Sequence, residues 1–215
     1  MGTFITFEGI EGSGKSTQMG LLKGYLEGRG LSVTALREPG GTRLGEEVRA
    51  ILLNSADGRR IEPMAELYLY EACRAELVEE VIRPALNEGR TVICDRYVDS
   101  TVAYQGYGRG LDIDSVMAIN RSAVAGVMPD ITIVLDMTPA AGIKRAQVRI
   151  EERKKEGASA EDRFELEALD FHSRVRDGFL TIAKAEPERV RVVDGNGGIE
   201  SIHKEICGII NSIIS

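Results

Sequence analysis

Short apolar runs alternate with longer stretches in which apolar residues recur at helical spacing. Phe4–Phe7, Leu31–Leu36, Thr91–Cys94, Ile131–Leu135 and Val190–Val193 are compact apolar runs, and each predicts a strand. Lys15–Glu27 reads as an amphipathic helix and Ile199–Ile214 as a closing one. Pro63–Asn87 reads as one long helix, with Pro at its first turn and Gly89 just past its end. Pro84 predicts a kink near that end. Strands that are almost continuously apolar and separated by helices predict an α/β fold with a parallel sheet buried on both faces. Such sheets bind ligands at the carboxyl ends of their strands.

The punctuation after the first strand is the most specific. Gly9-Ile-Glu-Gly-Ser-Gly-Lys-Ser16 fits G-x-x-x-x-G-K-[ST] between a predicted strand and a predicted helix. Gly9, Gly12 and Gly14 let the backbone turn so that successive N–H groups converge, and the helix beginning near Lys15 adds its positive end. Lys15 is expected to reach the β- and γ-phosphates, Ser16 to ligate Mg²⁺ and Thr17 to bond nearby oxygens. The loop, with Ile10, Glu11 and Ser13 at its variable positions, reads as a nucleoside triphosphate site. It does not by itself distinguish hydrolysis, switching and transfer. Two acids, Glu8 and Glu11, sit beside this polyanion site. Glu8 suits the waters of Mg²⁺ or a structural pair.

Composition limits the alternatives. The 215 residues suit a single domain, 1–215, and the net charge of −7 argues against a broad nucleic-acid surface. No apolar run reaches the ~18 residues of a membrane span. No signal peptide is expected from the first residues. Cys73, Cys94 and Cys207 are scattered, odd in number and without metal-ligand spacing, which predicts a reduced, cytoplasmic setting. His172 and His203 are isolated and are expected at surface or helix positions.

Other strand ends add chemistry. Thr91–Cys94 runs into Asp95-Arg96, an acid suited to Mg²⁺ beside a guanidinium suited to phosphate. Arg37-Glu-Pro-Gly-Gly-Thr42 follows the second strand. Tyr70 and Arg74 are four apart, on one face of the long helix. Arg74 interrupts an apolar stripe that continues through Leu77 and Val81, so it needs a partner. No Asn-Lys-x-Asp is present for a guanine-specific switch, and Asp194-Gly-Asn-Gly197 lies too late in the chain to act as one.

The phosphate loop, REPGGT, the Tyr70/Arg74 helix, Asp95-Arg-Tyr with Ser100, Thr101 and Ala103-Tyr-Gln-Gly106, and Asp162-Arg-Phe-Glu165 occur in order across most of the chain. Together they resemble the bacterial thymidylate kinases. The resemblance implies a three-layer P-loop kinase fold of about five parallel strands with a mobile lid, here about 145–163. It implies transfer of the γ-phosphoryl group of ATP to dTMP with Mg²⁺, in a homodimer. Carried over, Arg74 meets a thymine carbonyl and Thr101 the base edge. Arg96 grips the acceptor phosphate, and Arg37, Glu38 and Pro39 bound its pocket, with Pro39 able to adopt the cis form. Ser100, Tyr104 and Gln105 complete it, Tyr104 near the sugar.

The family usually has Phe where this chain has Tyr70, which keeps a stacking face and adds a hydroxyl. Glu11 faces the acceptor, accepting from the deoxyribose 3′-hydroxyl or holding a pocket arginine; the alternative is an outward, solvated acid. The phosphate loop carries no base, so the lid is expected to supply the transition-state cation. Arg153 is the first choice, with Arg149 and Arg163 as candidates, and Arg145, Arg149, Asp194 and Asn196 are assigned to the ATP side. A related kinase acting on another nucleoside or monophosphate, and a nucleotide-dependent switch, are the competing readings.

Overall fold

The computed structural model describes residues 2–53, 61–155, 164 and 167–214; the side chains of Arg149 and of residues 152–155 lie outside that description. Five strands, β1 (Phe4–Glu8), β2 (Val33–Arg37), β3 (Thr91–Asp95), β4 (Ile131–Asp136) and β5 (Val190–Asp194), pair in parallel in the order β2-β3-β1-β4-β5. β1 is central: Ile5 pairs with Ile93 on one side and Ile131 on the other. The order reverses there, so a crevice opens above the ends of β1 and β3, where an α/β sheet takes its ligand.

Nine helices are assigned among the described residues: α1 (Lys15–Gly28), α2 (Arg43–Leu53), α3 (Pro63–Leu77), α4 (Arg83–Asn87), α5 (Val98–Thr101), α6 (Ile113–Val124), α7 (Pro139–Lys155), α8 (Leu169–Ala185) and α9 (Ile199–Asn211). Because successive strand residues point to opposite faces, β1 feeds two cores. Ile5 and Phe7 pack with Leu22 and Leu26 of α1 and with Ile202, Ile206 and Ile210 of α9. Phe4 packs with Leu77, Val78, Ile82 and Leu86 on the other face. Each fully buried aliphatic or aromatic side chain contributes roughly 1.5–3 kcal/mol.

The helix expected over Pro63–Asn87 is interrupted. α3 passes into a π-helical turn at Val78–Ile82 before α4. Pro84 has no N–H and its ring would strike the carbonyl four residues back, at Glu80. The wider turn, in which Arg83 N–H donates to the Val78 carbonyl, accommodates it without a break in the chain's course. A second π-helical turn, Val102–Gly108, continues α5.

Cys73, Cys94 and Cys207 are free and buried. No helix among the described residues is long and apolar enough to cross a membrane.

Candidate active site

The loop after β1 wraps the start of α1. Gly14 caps that helix with φ 97°, a left-handed conformation that costs glycine nothing. A Cβ on Gly12, at φ 72°, would lie 2.1 Å from the carbonyl oxygen of Gly142 in α7, so only glycine fits. Lys15 folds back over the loop: Nζ donates to the carbonyls of Gly9 (2.9 Å) and Ile10 (3.0 Å). Burial, helped by Arg96, pushes Lys15 down to about 8 against the pull of Asp95, Glu11 and Glu8. Ile10 itself turns into the core with Val134 and Phe179.

A cavity of about 280 Å³ opens beside this loop. Glu11 through Thr17 form one wall, and Arg37, Glu38, Pro39, Tyr70, Arg74, Asp95, Arg96, Ser100, Thr101, Tyr104 and Gln105 form much of the rest. Side chains from the ends of β1, β2 and β3 and from α3 thus share one space. Ser16 Oγ donates to Asp95 Oδ2 at 3.0 Å, so the two expected Mg²⁺ ligands are adjacent. The Glu38–Pro39 peptide is cis. Arg37 is held by Glu46, Nη2 donating to both carboxylate oxygens (3.0 and 2.8 Å).

Arg96 stands where β3 ends, with backbone φ 69°, a conformation a non-glycine residue seldom adopts. Its N–H donates to the Phe7 carbonyl (2.9 Å), tying the bend to β1. Nη1 donates to the Gly9 carbonyl (3.2 Å) and Ser100 Oγ (3.1 Å), and Nη2 to Glu11 Oε1 (2.9 Å). The guanidinium carbon lies 4.7 Å from the Tyr104 ring centroid. Glu8 accepts from Tyr97 N–H (2.8 Å) and Ser100 Oγ (2.5 Å), so of its two expected uses the structural one is seen. Burial and Asp99 push Glu8 up to about 8, against the opposing effects of Ser100, Arg96 and Tyr97.

Glu11 is buried, at 7% exposure, which removes the reading of an outward, solvated acid. Oε1 accepts from Arg96 and from Tyr104 Oη (2.5 Å). Burial alone would raise its carboxyl, but His172, Arg96, Lys15 and Tyr104 hold it well below the usual range. His172 corrects the expectation of a surface histidine. It does lie on a helix, in the first turn of α8, but is fully buried with Nδ1 3.2 Å from Glu11 Oε2.

Arg74 has the partner its apolar stripe required. Nε and Nη2 donate to Glu38 Oε2 (2.9 and 2.5 Å), and Nη1 to Thr101 Oγ1 (2.9 Å), Asn120 Oδ1 (2.8 Å) and Glu71 Oε1. Of five N–H groups this leaves one on Nη2 without an acceptor among the described residues. Gln105 Nε2 donates to the buried Glu66 (2.8 Å). Tyr70 packs beside Phe164, ring centroids 6.5 Å apart, and both line the cavity.

Arg145, Asp194 and Asn196 do not line the cavity. Arg145 Nη1 donates to the Gly195 carbonyl (3.1 Å), and the 194–196 turn packs behind the loop near Ser13. The side chains of Arg149 and Arg153, and all of Arg163, lie outside the described residues. Glu71, Asn120, Arg49 and His172 join the site although no local motif marks them. Of these Arg49 touches the cavity, as does Phe164, which belongs to the Asp162-Arg-Phe-Glu165 motif.

A phosphate loop at the switch point of a parallel sheet, sharing one cavity with a second set of cations, defines a phosphotransferase of the P-loop kinase class. The family model for thymidylate kinase matches residues 7–206. The chain is 51% identical to the thymidylate kinase of Pelobacter propionicus, over 96% of this chain and 92% of that one. It is 49% identical to that of Solidesulfovibrio magneticus, over 98% of this chain and all of the relative. The crystal structure of thymidylate kinase from Ehrlichia chaffeensis superposes with a TM-score of 0.75 at 36% identity, covering 97% of this chain and 98% of that one. The chain belongs to the thymidylate kinase family.

Proposed function

We propose that this chain transfers the γ-phosphoryl group of ATP to the 5′-phosphate of dTMP, giving dTDP and ADP toward dTTP synthesis. The observation that carries this is one cavity bounded by both the phosphate loop and the Tyr70, Arg74, Arg96 and Tyr104 wall. Phosphoryl transfer demands little covalent work, so catalysis is positioning and charge neutralisation. The loop N–H groups and Lys15 hold the ATP phosphates. Thr17 assists, and Arg145, Asp194 and Asn196 serve the nucleoside end of ATP. Arg96 grips the dTMP phosphate, its geometry preset by Glu11, Ser100 and the Gly9 carbonyl.

Tyr70 stacks on thymine, Arg74 and Thr101 meet the base edge, and Tyr104 and Gln105 close around the sugar. Arg37, Glu38 and Pro39 bound the phosphate end. Ser16 Oγ and Asp95 Oδ2, 3.0 Å apart, are hard oxygen donors of the kind Mg²⁺ takes alongside phosphates and water. When bound, the ion neutralises charge on the transferring group. Arg153, on the segment 145–163, supplies the transition-state cation. The protein works as a cytoplasmic homodimer.

A coupled assay of ADP release tests this, with ATP and Mg²⁺ and one acceptor at a time. Turnover with dTMP is expected. ADP formed with thymidine but not with dTMP, or nucleotide binding without acceptor-dependent turnover, refutes it.

A further inference from the structure

Glu11 carries two oxygens with different fates. Oε1 takes Arg96 and Tyr104 Oη, as described. Oε2 is sealed from solvent and has no hydrogen-bond partner among the described residues. Facing it at 3.2 Å is Nδ1 of His172, equally sealed and equally unpartnered. A buried polar group left without a partner is destabilising. The 3.2 Å separation suits a hydrogen bond. The ring is packed edge-on against Phe171 (centroids 5.5 Å). An ionised carboxylate only accepts, so Nδ1 must carry the proton. Nε2 likewise has no hydrogen-bond partner among the described residues.

We infer that His172 is a positioning residue for phosphoryl transfer: through Nδ1–H it fixes the Glu11 carboxylate, and through Glu11 it aims the Arg96 guanidinium at the acceptor phosphate. This rests on the function proposed above. His172 touches neither the cavity nor any reacting group. Its effect passes along one chain: His172 Nδ1 to Glu11 Oε2, then Glu11 Oε1 to Arg96 Nη2 (2.9 Å). Without it, the carboxylate can rotate about its last bond and release Arg96, and a guanidinium misplaced by about 1 Å costs on the order of 10²-fold in rate.

The test uses His172→Phe, which keeps the ring, and His172→Asn, whose amide nitrogen stands near the position of Nδ1. The Phe variant is expected to lose kcat with dTMP on the order of 10²-fold, with KM for ATP changed by no more than roughly twofold. The Asn variant is expected to recover most of that loss. In a Glu11→Gln background, His172→Phe is expected to add nothing. A loss that tracks the folded fraction alone, no rescue by Asn, or losses that multiply with Glu11→Gln overturn the inference. Imidazole ¹⁵N shifts of the whole protein supply a readout independent of activity: an Nδ1–H tautomer is expected. An Nε2–H tautomer overturns the inference whatever the protein phosphorylates, whereas absent dTMP turnover with an Nδ1–H tautomer counts against the proposed function.

Discussion

Replacing Arg74 by Met keeps most of its length and removes its charge from a site that is 1% exposed. Two carboxylates, Glu38 and Glu71, then lose their cation, and Thr101 and Asn120 lose a donor. Breaking a buried pair from one side costs ~3–5 kcal/mol, because the charge left behind is uncompensated. In a chain of this size ~1 kcal/mol moves Tm by about 2–4 °C, so a drop on the order of 10 °C is expected. The pH dependence is diagnostic. Burial already pushes Glu38 up to about 7 against the pull of Arg74.

Without Arg74 nothing opposes burial, and the carboxyl rises further. A raised carboxyl binds a proton on folding, so its contribution is present at low pH and is lost as pH climbs through the folded value. The wild-type protein loses it between about pH 4.5 and about 7 and is level above that, whereas the variant goes on losing it at higher pH, ending in a costlier ionised state. The stability gap therefore widens as pH rises above about 7 and narrows back toward pH 7, by up to ~1.4 kcal/mol per pH unit for each proton taken up. Urea unfolding at several pH values measures it. A gap below ~1 kcal/mol, or one that stays flat or widens on acidification, would refute the reasoning.

Three further outcomes are expected. Glu11→Ala should raise KM for dTMP more than KM for ATP in steady-state assays; an equal effect on both removes Glu11 from the acceptor side. dUMP lacks one methyl, worth ~1–3 kcal/mol in an apolar pocket, so its kcat/KM should be roughly 10–200-fold lower than for dTMP, not zero. Arg153→Ala should cut kcat by on the order of 10³–10⁵ with little change in KM, whereas loss at Arg149 or Arg163 instead reassigns the transition-state cation.

Chain order and local pattern go far in this protein. Five apolar runs became five strands within a residue or two at their ends, because short apolar runs bounded by turn residues have the length of a strand and are too short for a helix of the usual size. The phosphate loop was legible because its glycines and Lys15 act within eight residues of one another. Arg74 announced its need for a partner by breaking an apolar stripe. The partner's identity was not legible: Glu38 lies 36 positions away, after a different strand. The interruption at Val78–Ile82 was also hidden, since periodicity cannot separate a π-helical turn from the α-helix around it.

The sequence alone therefore determined the class of chemistry: a loop for triphosphate, an Asp-Arg pair at a strand end, and an α/β sheet to carry them. Those features depend on contacts within a few residues, whose geometry the covalent chain nearly dictates. The tertiary structure decided which charges meet. Glu11 pairs with Arg96 at 85 positions' separation, and His172 comes to Glu11 only because α8 packs against the turn that carries Tyr104. A lone histidine in a helix reads the same whether it faces water or a carboxylate. The difference is made by the burial of that face, which withdraws water and leaves each polar atom only the partner the fold brings to it.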